Sequence, residues 1–207
     1  MRIVGGSLRG RRLAPVPDKG VRPTSDRLRE SLFNILQHHG WLPVNDPVSG
    51  DAETTQGGPS VVLDAFCGTG ALALEALSRG VDRALLMDRH APTLATARDN
   101  AATLGVEDRC RFVKCDATRP PYSSDAAGLC FLDPPYRQGL LLPALSALDA
   151  RGWIAPGAIC ILEADALDPI DLPPQFEVLD DRRLGKTRVV IAGRNPGHFV
   201  PGSDQSQ

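Results

Sequence analysis

Asp133 closes an apolar run, and Pro134, Pro135 and Tyr136 follow it directly in the stretch FLDPPY. Prolines donate no backbone hydrogen bond, so a strand entering this stretch ends at about Asp133. The acid offers one hydrogen-bond acceptor. The Pro134 carbonyl offers a second, on a segment whose φ angles are fixed by two rings. Two acceptors side by side suit a planar amine, such as the exocyclic amine of a nucleobase. That nitrogen is a poor nucleophile because its lone pair is delocalised into the ring. Holding both N–H bonds draws it toward tetrahedral geometry and points the lone pair outward. The Tyr136 ring can stack on the base and fix its plane. A strand stop followed by a helix start would explain the two prolines alone, so the chemistry depends on what surrounds them.

A second constellation lies upstream, in LDAFCGTGALA. Gly68 and Gly70 fall between a strand pattern and a helix pattern, where an open parallel sheet binds ligands against a helix N-terminus. Gly68, Gly70 and Ala73 satisfy G-x-G-x-x-G/A, and Asp88 follows Gly68 by 20 residues, which are marks of dinucleotide binding. Asp64 argues for a different ligand. It sits beside the loop, where a pyrophosphate would lie, and like charges there are costly. An acid at that place suits a cationic group. S-adenosylmethionine carries a sulfonium, an ammonium and two ribose hydroxyls, and Asp88 is placed to take the hydroxyls. Phe66 belongs to the same loop, and Asp116 would lie at the next strand end, near the adenine. Each acid also has a plain structural role open to it: a helix cap for Asp64, a strand-end turn for Asp88 and an Asx-turn for Asp116. A methyl donor beside a held amine implies methyl transfer, achieved largely by positioning. Asp133 would accept the amine proton directly or pass it to water.

These residues need a sheet to hold them. From Val61 onward, short apolar strands alternate with helical patterns: VVLDA, GALALEALSRG, RALLMD, a helix from about Ala91 to Leu104, CRFVKCD, GLCFLD, GLLLPALSALDARG and GAICILEAD. Near the end, FEVLDDRRLGKTRVVIAG reads as two strands around a turn at Leu184–Gly185. The alternation predicts an α/β fold with a mostly parallel sheet covered on both faces and an antiparallel strand at its edge. Asp133 then ends the fourth strand, next to the first, across a crevice from the glycine loop. Ahead of this body, RIVGG and RRLAPV can pair as a short hairpin. TSDRLRESLFNILQHH reads as a helix capped by Thr24 or Ser25, with Leu28, Leu32, Ile35 and Leu36 on one face. We therefore expect an N-terminal extension over 1–42, a flexible linker over 43–60, a main domain over 61–194 and a loose tail over 195–207.

Composition narrows the setting. The 207 residues are 42% hydrophobic and 23% charged, which fits an ordinary soluble core, and no run is long and apolar enough for a membrane span. The start has no apolar region of the secretory type. Five cysteines without C-x-x-C spacing read as reduced thiols of a cytoplasmic protein, with no metal site and no disulfide framework. Charge is uneven: residues 1–30 hold eight Arg/Lys against three Asp/Glu, while the remainder holds 15 against 22. A basic arm on an acidic body points to a polyanion-binding face at one end, with a solvated surface as the plainer explanation.

With LDAFCGTGALALEALSRG and FLDPPY together, the chain resembles class I S-adenosylmethionine-dependent amino-methyltransferases of the [DN]-P-P-[YFW] type. Adding MRIVGGSLRGRRL and RPTSDRLRESLFNIL, it is similar to the bacterial 16S ribosomal RNA guanine-N2 methyltransferase family over about residues 1–40 and 61–193. The resemblance implies a seven-stranded Rossmann-like sheet and methyl transfer to N2 of a guanine. The implied substrate is 16S RNA in an assembled or assembling small ribosomal subunit. It also implies that the extension docks RNA, through Arg2, Arg9, Arg11, Arg12, Arg22, Arg27 and Arg29. We expect a monomer. Ala73 departs from the family's frequent glycine, and the linker is longer than expected. Three other readings remain: a DNA adenine-N6 or protein glutamine-N5 methyltransferase, a nicotinamide-dependent oxidoreductase, and a non-catalytic RNA-binding module.

Overall fold

The computed structural model describes residues 1–15, 26–43, 58–136 and 138–197. Thr24, Ser25, Arg22, most of the expected linker and the end of the expected tail lie outside them. The helices are α1 (Asp26–His38), α2 (Ala71–Ser78), α3 (Ala91–Leu104) and α4 (Leu141–Ala150). The strands are β1 (Val61–Asp64), β2 (Arg83–Asp88), β3 (Cys110–Lys114), β4 (Ala127–Leu132), β5 (Ile154–Asp165), β6 (Phe176–Leu184) and β7 (Thr187–Arg194). None of the described helices is long and apolar enough to cross a membrane.

Parallel neighbours need long crossovers, and the strand–helix alternation supplies them. The result is one seven-stranded sheet in the order β3-β2-β1-β4-β5-β7-β6. β1 pairs in parallel with both β2 and β4, so Asp64 and Asp133 end neighbouring strands as the sequence implied. β7 runs antiparallel to both β5 and β6, which places the antiparallel strand one position inside the edge. β6 occupies the edge itself. The tight turn joining these two is Gly185–Lys186, one residue later than expected, and Gly185 adopts φ 68°.

Side chains alternate across the sheet. One face, with Val62, Phe131 and Ile161, packs against α1, α2, α3 and the N-terminal hairpin. The other, with Leu63, Cys130 and Leu132, packs against α4 and Trp153. α2 is buried all round, including Glu75, because the hairpin covers the side that the sheet does not.

The hairpin forms as expected: Arg2 and Arg12 make an antiparallel bridge, and the Ile3 N–H donates to the Arg11 carbonyl at 2.9 Å. It is bonded into the body. Glu75 accepts the N–H groups of Val4 and Gly5, both at 2.8 Å, and the Arg79 Nε–H at 2.8 Å. Asn100 on α3 accepts the Ala14 N–H at 2.7 Å and donates to the Thr69 carbonyl at 3.0 Å. The buried face of α1 is Arg29, Leu32, Phe33 and Leu36, with Leu28 and Ile35 at its margins. Phe33 reaches Phe131 of β4, with ring centroids 5.6 Å apart.

Candidate active site

The C-terminal ends of β1, β2 and β4 open onto a cleft of about 1460 Å³. Small-ligand sites span roughly 300–1,000 Å³, so this cleft has room for a cofactor and part of a second substrate. Asp64, Phe66, Gly68, Asp88, Asp116, Asp133, Pro134 and Tyr136 all line it. Of the expected cofactor residues, Gly70 is the one that does not. A Cβ on Gly70 would meet Leu86 Cδ2 at 2.8 Å and Ala97 Cβ at 3.3 Å, and its φ is 78°. Gly70 is required so that α2 can lie against β2 and α3, whereas Gly68 (φ 54°) has only the Phe66 carbonyl near its missing Cβ, at 4.0 Å. The backbone is thus bare toward the cleft at Gly68.

Asp64 is buried, and its Oδ2 accepts the Ala73 N–H of α2 at 3.3 Å. Burial pushes its carboxyl up to about 7; the Ala73 bond opposes this, and the charges of Asp133 and Asp88 add to the rise. A buried acid beside two others can receive a cationic group in its ionised form. Asp88 is half-buried and pins the loop: its Oδ2 accepts from Gly68 N–H at 3.3 Å and its Oδ1 from His90 N–H at 2.8 Å. Each carboxylate oxygen keeps a further lone pair for a hydroxyl. Asp116 forms the Asx-turn foreseen for it and lies at the cleft. Its Oδ1 accepts from the N–H and hydroxyl of Thr118 at 2.9 and 2.8 Å, an Asx-turn that holds the carboxyl below its usual range, while the side chain still edges the cleft.

On the acceptor side, Pro134 is buried and Asp133 half-buried directly after the last residue of β4. Tyr136 is 39% exposed, and its hydroxyl lies 3.1 Å from Thr187 Oγ1 on β7. That bond tethers the ring at its far edge. Gly185, Lys186 and Thr187 bring the β6–β7 turn to the cleft, while Arg27, Leu28 and Ser31 bring α1 to it. Of these, Arg27 alone was expected at a binding face, since nothing local in a hairpin turn announces which cleft it will reach.

The arginines divide. Arg2, Arg9, Arg11, Arg12 and Arg27 are exposed. Arg29 corrects the expectation of an RNA-facing side chain: it is fully buried, donating to the Arg2 carbonyl and to Asp26 Oδ1, the latter at 2.8 Å. It fastens α1 to the hairpin. Also missed from sequence is Glu163 on β5, buried to 2% exposure yet lining the cleft.

Comparison with known proteins places the fold in a family. The family model described as "Conserved hypothetical protein 95" matches residues 1–193. The chain is 38% identical over 176 residues to "Ribosomal RNA small subunit methyltransferase D" of Escherichia coli K12, covering 84% of this chain and 79% of that protein. It is 30% identical to "Putative rRNA methyltransferase YlbH" of Bacillus subtilis, over 84% of this chain and 86% of that one. The solved structure titled "Putative methyltransferase yhhF from Escherichia coli" superposes with a TM-score of 0.75 at 30% identity, covering 95% of this chain and 98% of that one. The match spans extension and sheet together, and the chain belongs to the family of the small-subunit ribosomal RNA methyltransferase D proteins.

Proposed function

We propose that this chain transfers the methyl group of S-adenosylmethionine to the exocyclic N2 of a guanine in 16S ribosomal RNA. It would act as a cytoplasmic monomer on an assembled or assembling small subunit. The observation that carries the reading is the placement of Asp64 and Asp133 at the ends of adjacent parallel strands, opening on one cleft. Membership of the methyltransferase D family supports the RNA substrate, and the exposed arginines of the extension support a polyanion at that end.

The donor set fits the cofactor. Asp64 would face its cationic groups, Asp88 its ribose hydroxyls, and the bare backbone at Gly68 would allow close approach. When bound, the cofactor supplies an electrophilic methyl carbon on a sulfonium. The chain's own residues do the rest by positioning. Asp133 and the Pro134 carbonyl accept the two N–H bonds of the amine and aim its lone pair. Tyr136, tethered through Thr187, stacks on the base. The amine must shed one proton as its new bond forms, and Asp133 already holds an N–H to receive it. The base has to leave its stack to reach this depth.

The test is labelled-methyl transfer to small subunits, adenine-containing DNA and a glutamine peptide, run in parallel. Only the small subunits should be labelled, and digestion should yield N2-methylguanosine. Asp133→Ala should abolish transfer with cofactor binding intact. Preferential labelling of DNA or peptide, or full activity in that variant, would overturn the proposal.

A further inference from the structure

Among the described residues, Glu163 is a cleft carboxyl with neither a task in the proposed reaction nor, unlike Asp116, a turn to hold. It lies on the same sheet face as Asp64, because β5 alternates and Ile161 already packs on that side. The register brings it beside the reacting strand: Leu132 pairs with Leu162, so Asp133 and Glu163 each stand one residue beyond that pair. Its side chain is 2% exposed, lines the cleft, and leaves Oε1 without a hydrogen-bond partner among the described residues.

A buried polar oxygen without a partner is costly, and one that lines a cleft is placed for a ligand to complete it. Leaving water, with Asp133 and Asp64 nearby, pushes this carboxyl well above its usual range. Burial beside two acids thus favours its neutral form, which has an O–H to donate. Two ring nitrogens flank the exocyclic amine of a guanine: N1, which bears a proton, and N3, which bears a lone pair and accepts a hydrogen bond.

We propose that Glu163 is a second base-holding residue, donating a hydrogen bond to the ring nitrogen that bears a lone pair (N3 of a guanine) beside the amine that Asp133 grips. This deepens the proposed function and rests on its placing an amine-bearing base in the cleft. Asp133 and Pro134 fix the nitrogen to be methylated; Glu163 fixes the rotation of the ring behind it, and Tyr136 its plane. Glu163 would touch the substrate but take no part in moving the methyl group.

Two variants of similar shape test the role. Glu163→Gln keeps a neutral donor and should hold kcat/KM within about threefold of wild type. Glu163→Met removes it and should lower kcat/KM for the RNA substrate about tenfold to a hundredfold, with cofactor affinity unchanged. Because Met also relieves an unpartnered buried group, Glu163→Met should melt at or above the wild-type temperature. A purely structural carboxyl would instead give a lower melting temperature and a parallel loss of cofactor binding, which overturns the proposal. So would an active Glu163→Met, or a Glu163→Gln as impaired as Met. The variants are read on whichever substrate the wild type methylates. Absence of small-subunit labelling by the wild type thus counts against the RNA reading alone.

Discussion

The Gly68 N–H donates to Asp88 Oδ2 across 3.3 Å, so the acid expected to hold the cofactor's ribose also fixes the loop beneath it. Asp88→Ala removes both functions at once. Charge-assisted hydrogen bonds contribute about 1.5–3 kcal/mol, so cofactor affinity should fall roughly tenfold to a hundredfold. Asp88→Asn keeps one acceptor oxygen and should fall between. Calorimetric titration with S-adenosylmethionine ranks the three.

If Asp64 holds the cofactor as proposed, binding should depend on pH. Its carboxyl titrates at about 7 in the protein alone, and a cationic ligand favours its ionised form. Binding near neutrality should release a proton, visible as a heat that changes with the ionisation enthalpy of the buffer. Affinity should be flat above pH 7 and fall as the pH drops below it, approaching tenfold per unit. Folding responds in the opposite direction. The folded state holds this proton more tightly than the unfolded chain, whose value is near 3.8, so the stability it contributes is lost as pH rises through about 7. Asp64→Asn should therefore melt higher than wild type at about pH 8 while binding no cofactor.

The two loop glycines should fail differently. Gly70→Ala forces a methyl against Leu86 and Ala97 at positive φ, and should cost about 1–3 kcal/mol of stability in denaturant unfolding. Gly68→Ala meets no side chain, so its penalty is the backbone strain alone, roughly 1 kcal/mol. Its larger effect should be on cofactor affinity.

Arginine substitutions separate RNA docking from folding. Arg9→Ala and Arg12→Ala should weaken RNA binding and lower the slope of log affinity against log salt by about one for each phosphate no longer neutralised. Arg29→Ala should instead lower the melting temperature, because it opens the buried junction of α1 with Arg2 and Asp26. An unchanged melting temperature for Arg29→Ala would contradict the buried role.

That arginine also shows what a helical pattern alone leaves open. The stripe Leu28, Leu32, Ile35 and Leu36 is a sound helical pattern, but it assumes a single covered face. Here the hairpin packs from another side, so the buried face turns toward Phe33 and takes Arg29 inside. FLDPPY and the glycine loop were legible because their chemistry is written in consecutive residues and the strand order follows from alternation. Glu163 was not: in ICILEAD an acid at an alternating position reads like any solvent-facing residue. Its meaning comes from β4 and β5 being neighbours, a relation between Asp133 and a residue well downstream of it. The β6–β7 turn was hidden for the same reason, since its reach to Tyr136 exists only once β7 inserts beside β5.

Glu75 and Asn100 bond the hairpin into α2 and α3, the helices that flank the glycine loop. The span from the exposed arginines to Asp133 is therefore set by the fold, as in a pair of calipers with a locked hinge. On the proposed function, an RNA held at one jaw would present to the other only the nucleotide lying at that reach. Selection of a single base among many identical ones would then be a measurement of length.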